Sequence, residues 1–127
     1  MSKEDYVSYD LAQRLKEVEF EEHCKNAYLK IGRKVKLLYW GTAAKLANDM
    51  GGEYVSAPNL WQAQKWLREK KHLSVEPYAN IVANFNYNIA DLESFADSKV
   101  QGIGYESYEC ALAAGISAAL ELITKGE

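Results

Sequence analysis

Little in this chain could serve as a disulfide scaffold, a zinc site or a membrane anchor. Among 127 residues there are two cysteines and two histidines. Cys24 and Cys110 lie far apart, in no Cys-x-x-Cys arrangement. Free thiols suit a reducing compartment, and a Cys24–Cys110 bridge is the alternative. Glu21-Glu22-His23-Cys24 sets four donors in a row, but sequence neighbours diverge in direction, whereas zinc needs two spaced pairs. His72 has no companion at ligand spacing. No metal and no cofactor is expected. The longest apolar run, Ala111 to Leu120, is too short to span a bilayer and is bracketed by Glu109 and Glu121. Residues Met1 to Asp5 are polar, with no apolar stretch behind them, so no signal peptide is expected. These absences point to a soluble protein of the cytoplasm.

Catalytic signatures are missing as well. There is no Gly-x-Ser-x-Gly, no P-loop and no complete Gly-x-Gly-x-x-Gly. Gly102-Ile-Gly104 precedes a helix, yet lacks the third glycine and a lysine for phosphate. Glu106, Glu109 and Glu121 are carboxylates of the kind any domain this size carries. The expectation is a protein that is not an enzyme. A formal net charge of −3 argues against broad nucleic-acid binding, since that affinity comes from Lys and Arg displacing counterions. A local basic patch remains compatible with that total.

What is present is a globular composition: 48% hydrophobic and 26% charged, which excludes a disordered chain. Nine tyrosines and three tryptophans supply core and interface area. Three helix starts share one grammar. Ser8-Tyr-Asp-Leu-Ala12, Asn59-Leu-Trp-Gln-Ala63 and Ser107-Tyr-Glu-Cys-Ala111 each set a capping residue four positions before an alanine. Asp10 and Glu109 follow where the helix dipole favours an acid. Leu11, Ala12, Leu15 and Val18 predict a helix over 9–18. Ala27–Ile31 and Val35–Trp40, around Gly32, predict a hairpin. Thr42–Met50 reads as a short helix ended by a Gly51-Gly52 hinge.

A second main helix is expected over 60–71, with Leu60, Ala63, Trp66 and Leu67 as its core stripe. A strand bearing Leu73 and Val75 should end at Pro77. Ile81 to Ile89 alternates apolar and asparagine, the mark of a strand with one buried face. Val100–Tyr105 gives another strand, and Tyr108–Ile123 a last helix. Cys110 falls within that helix, and Ala114, Gly115 and Ala118 should let it approach a neighbour closely. The fold class is α+β: an antiparallel sheet of at least three strands with helices on one face, in the order α-β-β-β-α, plus an N-terminal helix and hairpin. The expected division is 1–52 and 53–127, within one compact domain overall.

Two constellations are candidate binding sites. Asn84, Asn86 and Asn88 share a strand face, with Asn80 in line, and asparagine is depleted in strands. A ladder of amides can bind a polar ligand or a second chain, or simply face water. Trp61, Lys65, Arg68 and His72 fall at helical spacing away from Leu60, Ala63 and Leu67. An aromatic beside cations suits a protein partner or an anionic ligand, unless the ring is covered within its own chain.

The Gly102, Gly104, Ser107, Ala111, Ala114, Ala118 and Leu120 pattern, closing an α-β-β-β-α order over half the chain, resembles the double-stranded RNA-binding domain. That family sets lysines at the start of its last helix. Tyr108 and Glu109, beside Glu106, stand there in this chain, so the resemblance implies topology without the phosphate contact. A second resemblance spans most of the chain. Val7–Glu17 with Phe20 and Cys24, then Ser56–Glu69, then Tyr105–Ala111 look like small uncharacterised proteins of gut bacteriophages and integrated elements. This implies a mobile-element origin, action inside a bacterial host, and no particular activity. The expectation is a phage or prophage accessory protein that binds a host protein or a small anionic, nucleotide-like metabolite, with an anti-defence role suggested by origin and a homo-oligomer expected. A phage structural or assembly protein and a nucleic-acid-binding module are the alternatives.

Overall fold

A computed structural model describes residues 5–40, 53–80, 82–93 and 100–125. The fold is α+β, with three helices and two three-stranded antiparallel sheets among the described residues. In chain order these are α1 (Tyr9–Glu17), β1 (Asn26–Ile31), β2 (Lys34–Tyr39), β3 (Tyr54–Ser56), α2 (Leu60–Lys70), β4 (Leu73–Ala79), β5 (Phe85–Asp91), β6 (Gln101–Tyr105) and α3 (Tyr108–Lys125). The chain forms two compact units, one from Tyr6 to Asn59 and one from Leu60 onward together with Asp5. The helix expected at Thr42–Met50 and the Gly51-Gly52 hinge lie outside the described residues. The division falls at Asn59 because Tyr54–Ser56 pairs with Ala27–Leu29 of β1, which ties it to the first unit.

In the first unit the strand order is β2-β1-β3. Ser8 caps α1 by accepting the Leu11 N–H at 3.2 Å. Leu11, Ala12 and Leu15 are buried, and each fully buried Leu contributes about 1.5–3 kcal/mol of transfer free energy. Tyr28 on β1 meets the Tyr9 ring edge-on at 5.6 Å and donates its hydroxyl to the Val7 carbonyl at 2.7 Å. Burial pushes the Tyr28 phenol above its ordinary pKa. The β1–β2 hairpin closes over Gly32-Arg33, with Ile31 opposite Lys34. Gly32 takes φ 61°, which the twist of a two-residue hairpin loop demands.

The second unit has the order α2-β4-β5-β6-α3, with both helices packed on the sheet and on each other. Pro77 does not end β4; it pairs with Tyr87 inside the strand. β4 is an edge strand, and the Val75 carbonyl takes the Gln64 side-chain amide at 2.8 Å, so it points away from β5. Pro77, two residues on, has the same orientation, and its missing N–H removes no ladder bond. β5 starts at Phe85 rather than Ile81. The chain before it is a turn: Asn80 Oδ1 accepts the Val82 N–H at 2.9 Å and the Asn84 N–H at 3.1 Å, and Ala83 is left-handed at φ 63°. Ser107 caps α3 through the Cys110 N–H at 3.0 Å.

The core of this unit is organised around Tyr87. Its ring lies between Gly102 of β6 and Gly115 of α3, and a Cβ on either glycine would collide with a neighbour: the ring itself at Gly102, and Val75 at Gly115. Of the three small residues expected to permit close approach, Gly115 is buried, while Ala114 and Ala118 are half-buried at the helix flank. The correction follows from helix phase, since Ala111, Leu112, Gly115, Ile116, Ala119 and Leu120 form the buried face. Cys110 precedes that face and is exposed, whereas Cys24 is buried; neither is in a disulfide.

Gly115→Val should overpack this contact and lower stability by about 1–3 kcal/mol, while Ala118→Leu should stay within about 1 kcal/mol of the parent. Urea unfolding of the two variants checks the contrast. Tyr87 also gives a pH signature. Burial, then the neighbouring Tyr105 and Glu121, raise its pKa in the folded state. The folded state therefore keeps this proton more tightly than the unfolded chain, whose tyrosines titrate near 10. The stabilisation is complete below about pH 10 and declines as pH rises toward the folded value. Melting curves across that range should show a smaller alkaline loss for Tyr87→Phe.

Candidate functional site

The two groups of residues singled out in the sequence lie on opposite sides of the second sheet. α2 packs on the face that carries Val75 and Tyr87, whereas Asn86 and Asn88 alternate onto the other face. They do not form one site.

The asparagine ladder is only partly a surface. Asn84 belongs to the turn, and its carbonyl accepts the Asn80 N–H at 2.9 Å. Asn86 faces β6 where Phe85 pairs with Tyr105 and Tyr87 with Gly102, so Ile103 and Gly104 oppose one residue. This is a β-bulge with Gly104 at φ 81°. Asn86 Oδ1 accepts the N–H that the bulge frees on Gly104 at 3.1 Å, and also Asn80 Nδ2–H at 3.0 Å. Its acceptor is committed to holding a hairpin turn to a bulge. Asn88 differs: its Oδ1 is buried and has no hydrogen-bond partner among the described residues. The sequence reading of three convergent amides is thereby corrected to one structural amide, one turn residue and one orphaned acceptor.

The α2 stripe is a surface. Leu60, Ala63, Trp66 and Leu67 fill the buried face, as expected. Trp61, Lys65 and Arg68 fall outside it and are exposed, with Trp61 at 39%. Neither Lys65 nor Arg68 has an ion pair among the described residues. Trp66, by contrast, is buried and has the Lys71 ammonium 5.6 Å from its ring centroid. His72 leaves the stripe. It lies past the helix end at φ 57°, its carbonyl accepts the Leu92 N–H at 2.8 Å, and its Nε2 stands 3.6 Å from Glu93 Oε1. Its backbone forms the turn into β4.

One feature of the first unit escaped the sequence reading. From Asn26 to Tyr39 the hairpin carries Lys30, Arg33, Lys34 and Lys36 and no acid. All four are exposed and none forms an ion pair among the described residues. The chain totals −3, so with these four cations set aside the remainder is net −7. Whole-chain charge concealed the hairpin; a window confined to it would have shown it.

Elsewhere in the first unit an open groove of about 310 Å³ is lined by Tyr9, Gln13, Lys16, Glu17, Glu53 and Val55. Two of its side chains bond within the unit: Gln13 Nε2 donates to the Tyr9 hydroxyl at 2.8 Å and Lys16 Nζ to the Tyr54 carbonyl at 3.2 Å. Among the described residues no three His, Cys, Asp or Glu side chains converge on a metal position, and no helix is long and apolar enough to cross a membrane.

No family model, no curated protein and no solved structure matches this chain.

The two amides should respond oppositely to substitution. Asn86→Ala frees the Gly104 N–H and the Asn80 amide, and should cost about 1–2 kcal/mol. Asn88→Val removes an unsatisfied acceptor and adds a β-branched strand residue, so stability should hold or rise by up to about 1 kcal/mol. Denaturant midpoints of both variants check the signs.

Proposed function

We propose that this protein acts by binding rather than catalysis, as an accessory protein of a phage or prophage. Its α2 surface would receive a host protein or a small anionic metabolite. The observation that carries the reading is the exposure of Trp61 on a helix whose core face is already complete. Lys65 and Arg68 one and two turns along give that face a positive charge. Aromatic and Arg side chains dominate binding hot spots because they bury much area with little freedom to lose. Arg adds a planar fork that matches carboxylate or phosphate. The resemblance of Val7–Glu17, Ser56–Glu69 and Tyr105–Ala111 to small phage proteins supports the origin and leaves the partner open. An anti-defence role follows from that origin alone.

Native mass spectrometry of the protein purified from bacterial cells should retain a partner protein or an anionic ligand. Trp61→Ala or Arg68→Ala should weaken that association by about 1–2 kcal/mol or more, with the melting temperature nearly unchanged. A large loss of stability in Trp61→Ala with binding intact would make Trp61 a packing residue and remove the reading.

A further inference from the structure

The β1–β2 hairpin combines three observations that the α2 surface does not explain. Its charge is of one sign and forms no ion pair among the described residues. Its cations occupy both faces and the tip: the register sets Lys36 beside Leu29 and Lys34 beside Ile31 on one face, Lys30 beside Val35 on the other, and Arg33 in the loop. Its apolar residues near the tip are exposed on both faces as well, Ile31 at 56% and Val35 at 39%.

Lysine on an edge strand is a common guard against sheet-to-sheet association, and Lys34 and Lys36 on β2 serve that purpose. Lys30 lies on the central strand β1 and Arg33 in the turn, where no edge needs guarding. An acidic protein surface or an anionic membrane would meet one face of the ribbon and leave the other in water. A groove with charged walls on both sides would meet both faces together.

We infer that the hairpin is a nucleic-acid-binding ribbon that enters the major groove of duplex DNA. The B-form major groove, about 12 Å wide and 8.5 Å deep, admits a two-stranded ribbon between two rows of phosphates. β3 covers β1 as far as Leu29, and the Lys30 N–H donates to the Glu53 carbonyl at 3.2 Å. Beyond that, among the described residues, β1 and β2 alone remain paired, from Ile31 and Lys34 through the loop. At about 3.3 Å per residue the two residues of each free arm project roughly 7 Å, and the Arg33 side chain covers the rest of the groove depth. Lys30, Lys34 and Lys36 then face the phosphate walls, with Ile31 and Val35 beside them on the same two faces, and Arg33 reaches the base edges at the floor. The contact is chiefly to the backbone, so sequence preference is weak. The major groove of A-form RNA is too narrow for side chains to read, so the same ribbon does not enter it.

The test is fluorescence anisotropy of the full chain with a labelled mixed-sequence DNA duplex of about 20 base pairs, with salt varied between about 50 and 200 mM. Three phosphate contacts predict a slope of log K against log salt of roughly −3. Arg33→Gln with Lys34→Gln should weaken binding at least about tenfold at the low-salt end and bring the slope about 1 nearer zero. Lys70→Gln with Lys125→Gln, of equal charge change, should leave both as they are. An RNA duplex of the same sequence should bind at least about tenfold more weakly. Circular dichroism and melting of each variant verify that these exposed substitutions leave the fold intact. Absence of DNA binding at low salt, a hairpin variant that binds like the parent, or equal affinity for the RNA duplex would each overturn the inference. Hairpin-dependent capture on phosphatidylserine vesicles or by polyglutamate, without DNA binding, would overturn it in favour of a one-faced acidic partner.

Discussion

The second unit depends on one steric arrangement, an aromatic ring held between two residues that have no side chain. Tyr87 fills the space between β6 and α3 only because Gly102 and Gly115 leave it open. Both glycines weaken the elements they sit in by roughly 0.5–1 kcal/mol relative to alanine, and the buried ring offsets this through area and contacts. The neighbouring features are consistent with that constraint. α3 can lie close to the sheet where Gly115 passes Val75, and the bulge beside Gly102 brings Tyr105 to within 5.8 Å of the Tyr87 ring centre. Asn86 then closes the bulge by accepting its free N–H. A tyrosine, two glycines and an asparagine thus form one structural unit spread over three elements.

Much of this architecture is legible in the amino-acid sequence. Period-2 and helical spacing gave the order of elements, and Ser8 and Ser107 cap their helices as their positions implied. Errors arose where local pattern and tertiary context differ. Ala83 alternates correctly for a strand, but Asn80 folds the chain back through its side chain, so β5 begins later. Pro77 looks like a strand end to local reasoning, and only the knowledge that β4 is an edge makes it acceptable. The asparagines misled for a related reason. Side-chain amides on alternate residues look like a displayed ladder, while their actual partners, Gly104 and Asn80, depend on a bulge that sequence does not announce.

The candidate sites differ in the same way. Trp61, Lys65 and Arg68 could be read from spacing because a regular helix maps sequence directly onto faces. Their exposure required the structure. The hairpin cations needed no structure to count, but averaging over an acidic chain hid them. The topology adds what the count lacks, by distributing them over two faces and a turn. Aromatic-plus-cation on a helix and cation-on-both-faces on a ribbon are different surfaces, and each belongs to a different compact unit.

The placement of the two thiols has a practical meaning. Cys110 stands in the open at the start of α3, while Cys24 is enclosed in the first unit with its Sγ 3.6 Å from the Glu22 carbonyl. A thiol reagent therefore finds one cysteine in the native molecule and must wait for an opening event to find the other. Each unit thus carries its own intrinsic reporter, one of accessibility and one of breathing. The rate at which Cys24 becomes labelled measures how often the first unit opens, without any added probe.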